Sequence, residues 1–138
     1  MNLLVIDGQG GNLGASIIKS VKERYPAIDI TAVGTNANAT AAMVKAGAKK
    51  AATGENPVAV TVKKADVIVG PVGIVIADAM LGEITPRMAQ CIGSADATRI
   101  LIPMNKCENI IAGVADASVS QLVDDAIGKI GEIFAKNG

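Results

Sequence analysis

Histidine and tryptophan are absent from this chain of 138 residues, and tyrosine and phenylalanine occur once each. The lack of histidine removes the commonest general base and the commonest metal ligand. Cys91 and Cys107, the two cysteines, are too few and too far apart for a structural zinc site. We therefore expect no bound metal, and a core built from aliphatic rather than aromatic side chains.

Net charge is also absent, because thirteen basic residues balance thirteen acidic ones. No basic run or aromatic platform indicates nucleic-acid binding, and no basic amphipathic helix indicates a membrane surface. The apolar run between Asp66 and Asp78 is well short of the ~20 residues that span a bilayer. The first residues do not resemble a signal peptide. We therefore expect a cytoplasmic protein with one domain, residues 1–138, and no nucleic-acid or membrane partner.

Short apolar runs bounded by turn residues recur along the chain. Residues 3–6 form such a run, and four consecutive apolar residues are typical of a strand buried on both faces. The same reasoning predicts further strands over residues 28–33, 48–53, 67–69, 99–102 and 110–114.

Helical patterns lie between these strands. Thr85 begins one helix as a capping residue, and Ser118 with Gln121 forms a capping box for the last helix. The apolar run 74–81 predicts a helix, whereas residues 58–64 fit either extended structure or a short helix. Strands that alternate with helices predict an α/β fold. We expect a doubly wound, Rossmann-like and mostly parallel sheet of about five or six strands, with helices on both faces.

Glycines crowd the segment between the first strand and the helix after it. Gly8, Gly10 and Gly14 fit a G-x-G-x-x-x-G spacing, one residue longer than the usual dinucleotide fingerprint. A glycine-rich turn that opens a helix lets backbone N–H groups close around a phosphate. The alternative is a tight turn that binds nothing. We predict a phosphate-binding loop formed by Asp7, Gly8, Gln9, Gly10, Gly11, Asn12 and Leu13.

The second predicted strand ends without an acidic residue. Dinucleotide sites usually place Asp or Glu there to bind the ribose hydroxyls of NAD. Neutral groups follow the strand instead, and they suit either a 2′-phosphate or the cap of the second helix. We predict a phosphorylated small molecule, favouring an NADP-type dinucleotide or another nucleotide, bound by Gly34, Thr35, Asn36 and Asn38.

Polar residues and glycines also follow the third, fourth and fifth strands. In a parallel sheet all of these segments lie at the carboxyl edge, where ligands bind at the switch point. Each segment alone is weak evidence, because turns contain such residues in any protein. Their common edge extends the predicted site to Gly54, Glu55, Asn56, Gly70, Pro71, Gly73 and Asn105.

The same edge offers few groups for catalysis, and no reaction is predicted. Cys107 follows the cationic Lys106, but the histidine that usually activates a nucleophilic cysteine is missing. Asp78 is either a tuned acid or base or, as we favour, the solvent-facing residue of its helix. An acid–base group would come from Asp7, Glu55, Asp78, Glu83, Lys106 or Cys107.

A rival function for the same residues is a non-catalytic ligand-binding or sensor module that works as a homo-oligomer. The run 74–81 is apolar on too many faces for a half-exposed helix of a small monomer. We therefore expect a homodimer whose interface includes residues 74–82.

The most distinctive stretch of the sequence is 70–86, which reads GPVGIVIADAMLGEITP. Together with the glycine loop and the segments 34–36, 53–56 and 100–103, it resembles an uncharacterised bacterial domain-of-unknown-function family. The resemblance runs over nearly the whole chain. It implies a small Rossmann-like protein, and it carries no activity with it.

Overall fold

The computed structural model describes residues 1–104 and 108–137, in which strands and helices alternate. The strands are β1 (Asn2–Asp7), β2 (Asp29–Gly34), β3 (Lys50–Thr53), β4 (Val67–Pro71) and β5 (Thr98–Ile102). The helices are α1 (Asn12–Arg24), α2 (Ala37–Ala46), α3 (Glu55–Thr61), α4 (Pro86–Gly93) and α5 (Val119–Asn137), with a 3₁₀ helix over Val72–Val75.

β1 lies at the centre of the sheet, whose strand order is β3-β2-β1-β4-β5 and whose pairs are all parallel. The chain runs outward from β1 to β3 and then crosses back to β4, so the order switches between β1 and β4. Ligands of such sheets bind beyond the carboxyl ends of the strands at this switch point. The predicted fold class is confirmed, with five strands in the described sheet.

The side chains of β1 alternate between the two faces of the sheet. Leu3 and Val5 pack in one core cluster with α1, α2 and α5, whereas Leu4 and Ile6 pack in a second cluster with α3 and α4. All four are buried. Helices therefore cover both faces of the sheet, and the doubly covered strand fixes the position of the loop that follows it.

Two local predictions about helices are confirmed, and one open alternative is resolved. The Thr85 hydroxyl oxygen accepts the Met88 N–H at 3.1 Å and caps α4. Ser118 and Gln121 form the capping box reciprocally, at 3.1 Å and 2.8 Å. Of the two alternatives for residues 58–64, the structure shows the short helix, α3. Caps are correctly predicted because they depend on side chains only a few residues apart.

The predicted sixth strand over 110–114 is wrong. This segment passes through a turn in which Gly113 has a φ of 81°, and Ile110 is 95% exposed. An apolar run is a strand only where a neighbouring strand pairs with it and another layer covers it. The described sheet ends at β5, so residues 110–114 have neither.

The predicted helix over 74–81 is also wrong. The 3₁₀ helix ends at Val75, and turns follow in which Asp78, Met80 and Leu81 have positive φ. A right-handed helix does not continue through such residues. The segment is apolar because Ile74, Met80 and their neighbours lie in the core cluster beside α3 and α4. Asp78 is exposed, but not as the outward residue of a helix.

Candidate functional site

Asp7, the last residue of β1, is the one buried charged residue in the described part of the chain, at 4% exposure. Its Oδ1 accepts the Gly8 N–H at 2.8 Å, and its Oδ2 accepts the Gly14 N–H at 2.7 Å. Gly14 lies in the first turn of α1, where N–H groups have no acceptor within the helix. The Asp7 carboxylate therefore acts as a cap by accepting one of them. The Asp7 carboxylate thus binds backbone N–H groups at the place where the sequence predicts a phosphate.

Burial raises the pKa of Asp7 above its ordinary value. The hydrogen bonds from the Gly14 and Gly8 N–H groups oppose this rise in pKa, and the negative charge of Glu83 adds to it. Burial prevails because a charged carboxylate loses most of its hydration at 4% exposure.

The glycine loop is tightly packed at two of its glycines and open at a third. A Cβ on Gly8 would lie 2.6 Å from the Met80 Sδ, and one on Gly11 would lie 2.7 Å from the backbone of Ala39. On Gly10, the nearest atom to a Cβ is the Asn12 Nδ2, 3.6 Å away. The tight-turn alternative therefore accounts for Gly8 and Gly11, whereas Gly10 is exposed and has room for a Cβ in ordinary contact with Asn12.

Glu83 lies over the loop, with its carboxylate at the carboxyl end of β2. Its Oε1 accepts three hydrogen bonds, from the Thr35 hydroxyl at 2.6 Å, the Asn36 Nδ2 at 2.7 Å and the Gln9 N–H at 2.9 Å. Burial alone would raise the pKa of Glu83, but the hydrogen bonds from Thr35, Gln9 and Asn36 outweigh it and lower the pKa. These donors come from the loops after β1 and β2, and they converge on one anionic oxygen.

Glu83 belongs to a short closed segment, residues 78–84, which we call the 78–84 loop. Its ends are held together by the Asp78 N–H to Ile84 carbonyl bond at 2.7 Å and the Ile84 N–H to Ala79 carbonyl bond at 3.2 Å. Ala79 and Ile84 are fully buried, whereas Leu81 at the tip is fully exposed. Asp78, Met80 and Leu81 have positive φ, and each lowers the free energy of unfolding by roughly 1–2 kcal/mol. Burial of the ends of the loop must offset this cost.

The residues predicted at the end of β2 divide into two groups. Asn36 caps α2 by accepting the Ala39 N–H at 2.8 Å, and it also donates to the Gln9 carbonyl at 3.0 Å. Asn36 therefore serves both as the cap of α2 and as one of the three donors to Glu83. Asn38 lies exposed in the first turn of α2 and takes no part in the Glu83 hydrogen bonds.

Glu55, which follows β3, is bound to α4 rather than facing the glycine loop. Its carboxylate accepts the Thr85 hydroxyl at 2.5 Å and lies 3.6 Å from the Arg87 guanidinium. Arg87 thus places a half-exposed cation beside the end of β3, which the sequence reasoning missed because Arg87 lies within a later helix. The Gly54 N–H donates to the Gly34 carbonyl at 2.9 Å, and Asn56 is exposed.

The residues predicted to follow the fourth strand are buried packing residues, and Gly70 and Pro71 lie within β4 itself. Gly70, Pro71 and Gly73 are all buried, and a Cβ on Gly70 would collide with the Ile6 carbonyl oxygen of β1. The glycine lets β1 and β4 approach at the switch point. Asn105, predicted after β5, lies outside the described residues, as do the acid–base candidates Lys106 and Cys107.

Residues 1–104 and 108–137 lack two further features. No group of three Cys, Asp or Glu residues there could hold a metal ion. No helix in this part of the chain has the length and apolar character to cross a membrane.

The sequence matches the family model described as "Domain of unknown function (DUF3842)" over residues 2–135, which confirms the resemblance carried by the motifs. No curated protein matches the chain. Among solved structures, the chain is similar to a dodecameric FMN-dependent Ubix-like decarboxylase from Escherichia coli O157:H7. The TM-score is 0.45 and the identity 11%, over 98% of this chain and 95% of the other. This likeness is too distant to support an inference about ligand, reaction or assembly.

Replacing Asp7 by alanine should lower the free energy of unfolding by about 1–3 kcal/mol for each of the two buried N–H groups left without an acceptor. The raised pKa of Asp7 means that its ionisation opposes folding. The stability that Asp7 adds is therefore greatest below its ordinary pKa and declines as the pH rises through its folded-state pKa.

Urea unfolding of the parent and D7A between about pH 4 and pH 8 checks both statements. The control is D29A, since Asp29 is exposed at the opposite end of the sheet. A parent-to-D7A difference that grows with pH would contradict the direction assigned to Asp7.

Proposed function

The chain belongs to the DUF3842 family, a domain of unknown function, and we propose from its geometry that it binds a phosphorylated small molecule. The binding site is the carboxyl edge of the sheet, between the glycine loop and the end of β2. A phosphate group of the ligand is held by the Thr35 hydroxyl, the Asn36 amide and the Gln9 N–H.

The observation that carries this proposal is the convergence of those three donors on one anionic oxygen, at 2.6–2.9 Å. Hydrogen bonds to an ionised acceptor are short and strong, and phosphate oxygens accept them as carboxylate oxygens do. A backbone N–H, a hydroxyl and an amide are uncharged donors. They therefore select a ligand by the position of its oxygen atoms rather than by its charge. Gln9 and Gly10 are exposed, so a ligand reaches this part of the loop from solvent.

The ligand favoured is an NADP-type dinucleotide or a phosphorylated mononucleotide. Neutral donors at the end of β2 suit a 2′-phosphate, and the N-terminus of α2 favours added negative charge by roughly 0.3–1 kcal/mol. If the Glu83 carboxylate instead stays in place, it would accept ribose hydroxyls and favour NAD. The two arrangements give opposite orders of affinity.

Calorimetric titration of the parent protein with NADP, NAD, AMP and FMN should show NADP binding more tightly than NAD. The preference should be only a few-fold, since 1.4 kcal/mol is needed for tenfold. A clear preference for NAD would assign Glu83 to ribose recognition. No heat from any of the four would overturn nucleotide binding.

Gly10→Val should weaken binding of the favoured nucleotide by about tenfold or more, because a branched side chain would stand where the ligand approaches the backbone. The fold should survive, since no backbone atom lies within 4 Å of the added Cβ. Gly93→Val is the control, because a Cβ on Gly93 meets no atom within 4 Å and Gly93 lies on α4, away from the glycine loop. Equal affinity for both variants would show that the loop is only a turn.

The rival function, a non-catalytic sensor module that works as a homo-oligomer, is supported by one observation. Leu81 is fully exposed at the tip of the 78–84 loop, whereas Ile74, Ala79 and Met80 are buried within the chain itself. The apolar content of 74–82 is thus largely explained without a partner. A homodimer through this segment would depend on Leu81.

Leu81→Asp should convert a dimer to a monomer in sedimentation analysis, because an added carboxylate opposes burial of the tip against a second copy. Val60→Asp is the control, since Val60 is also exposed but lies on α3. A parent protein that sediments as a monomer at high concentration would rule out this interface.

A further inference from the structure

We propose that Glu83 is a built-in occupant of the phosphate position, and that ligand binding requires its carboxylate to leave. This inference rests on the proposed function and adds its regulation. The chain holds its own anion against the donors that the ligand needs, so the site is closed in the absence of a ligand.

The contacts of Glu83 are those of a bound anion rather than of a surface side chain. All three donors form hydrogen bonds to one oxygen, Oε1, and they lie 47 to 74 residues away from Glu83 in sequence. Met80, three residues earlier in the same loop, covers Gly8 at the same place. The 78–84 loop therefore covers the start of the glycine loop and fills the donor set after β2.

The Glu83 side chain can leave its donors while the backbone of the 78–84 loop stays in place. Ala79 and Ile84 are fully buried and joined by a backbone hydrogen bond, which anchors the loop in the core beside α4. Glu83 is only half-buried, and its three contacts with the donors are made by its side-chain Oε1. The Glu83 side chain can therefore withdraw into solvent without opening the core.

The apparent affinity for the ligand is then the affinity of the open site multiplied by the fraction of molecules in which the donors are free. It also makes a specific prediction about the donors themselves. Removing the Thr35 hydroxyl weakens both the ligand and its competitor, so the two effects largely cancel in the parent. In a protein that lacks the Glu83 carboxylate, the same change weakens only the ligand.

Glu83→Ala should bind NADP, or inorganic phosphate used as the minimal probe, about tenfold more tightly than the parent in calorimetry, since three hydrogen bonds to a carboxylate no longer compete. Glu83→Gln should bind more tightly than the parent but less tightly than E83A. Asp78→Asn is the matched control for E83Q, because Asp78 is exposed in the same loop and asparagine tolerates its φ of 66°. Its affinity should equal that of the parent.

Thr35→Val is then tested in the parent and in E83A, with Thr31→Val in β2 as the control. T35V should change the affinity little in the parent and weaken it about fivefold or more in E83A, because only there is the lost hydrogen bond uncompensated. Thermal unfolding of each variant in the absence of probe verifies that the fold is kept.

The outcomes separate the two proposals. If the parent binds a probe and E83A binds it no more tightly, self-occupancy by Glu83 is wrong while the proposed function stands. If E83A gains affinity and T35V acts mainly in the E83A background, both stand. If no variant binds any nucleotide or phosphate, the proposed function fails, and the role assigned to Glu83 fails with it.

Discussion

The Asp7 carboxylate is the contact on which the carboxyl edge of this protein depends. Asp7 ends a strand that is buried on both faces, and its two oxygens hold the N–H groups of Gly8 and Gly14. These bonds fix the angle at which the chain leaves β1 and enters α1. The Asp7 carbonyl also accepts the Thr35 N–H at 3.0 Å, which ties the loop after β2 to the same residue. Asp7 therefore holds both of the loops that supply the donors around Glu83.

Two carboxylates, those of Asp7 and Glu83, lie at the glycine loop, and their surroundings assign them different roles. Asp7 is enclosed by local backbone donors within the β1–α1 turn, and burial raises its pKa. Glu83 is half-exposed in the 78–84 loop, next to its buried end. Burial favours a higher pKa for Glu83 too, but hydrogen bonds lower that pKa overall. A carboxylate locked in the turn cannot exchange with a ligand without disrupting α1. The Glu83 carboxylate, which only side-chain contacts hold against its three donors, is free to exchange in the binding mode proposed above, because the same donors serve either anion.

Features encoded within a few residues were correctly predicted from the sequence. The apolar run of β1 and the caps at Thr85 and Ser118 depend on short-range patterns, and the structure shows each of them. The apolar runs at 74–81 and 110–114 were misassigned, because hydrophobicity alone does not distinguish a helix or strand from an irregular segment. Asp78 and Gly113, both at positive φ, mark where those predictions fail.

The candidate site shows the same division between local and distant information. The donors Gln9, Thr35 and Asn36 were predicted because they follow strands whose carboxyl ends meet at one edge. Glu83 was named only as an acid–base candidate, since its contacts join residues 47 to 74 positions apart and no local pattern encodes them. In the sequence, only neutral residues follow β2, yet in the structure the Glu83 carboxylate lies beside them. For the function proposed above, a preference for phosphate over ribose hydroxyls therefore depends on whether Glu83 leaves, which is a property of the 78–84 loop rather than of β2.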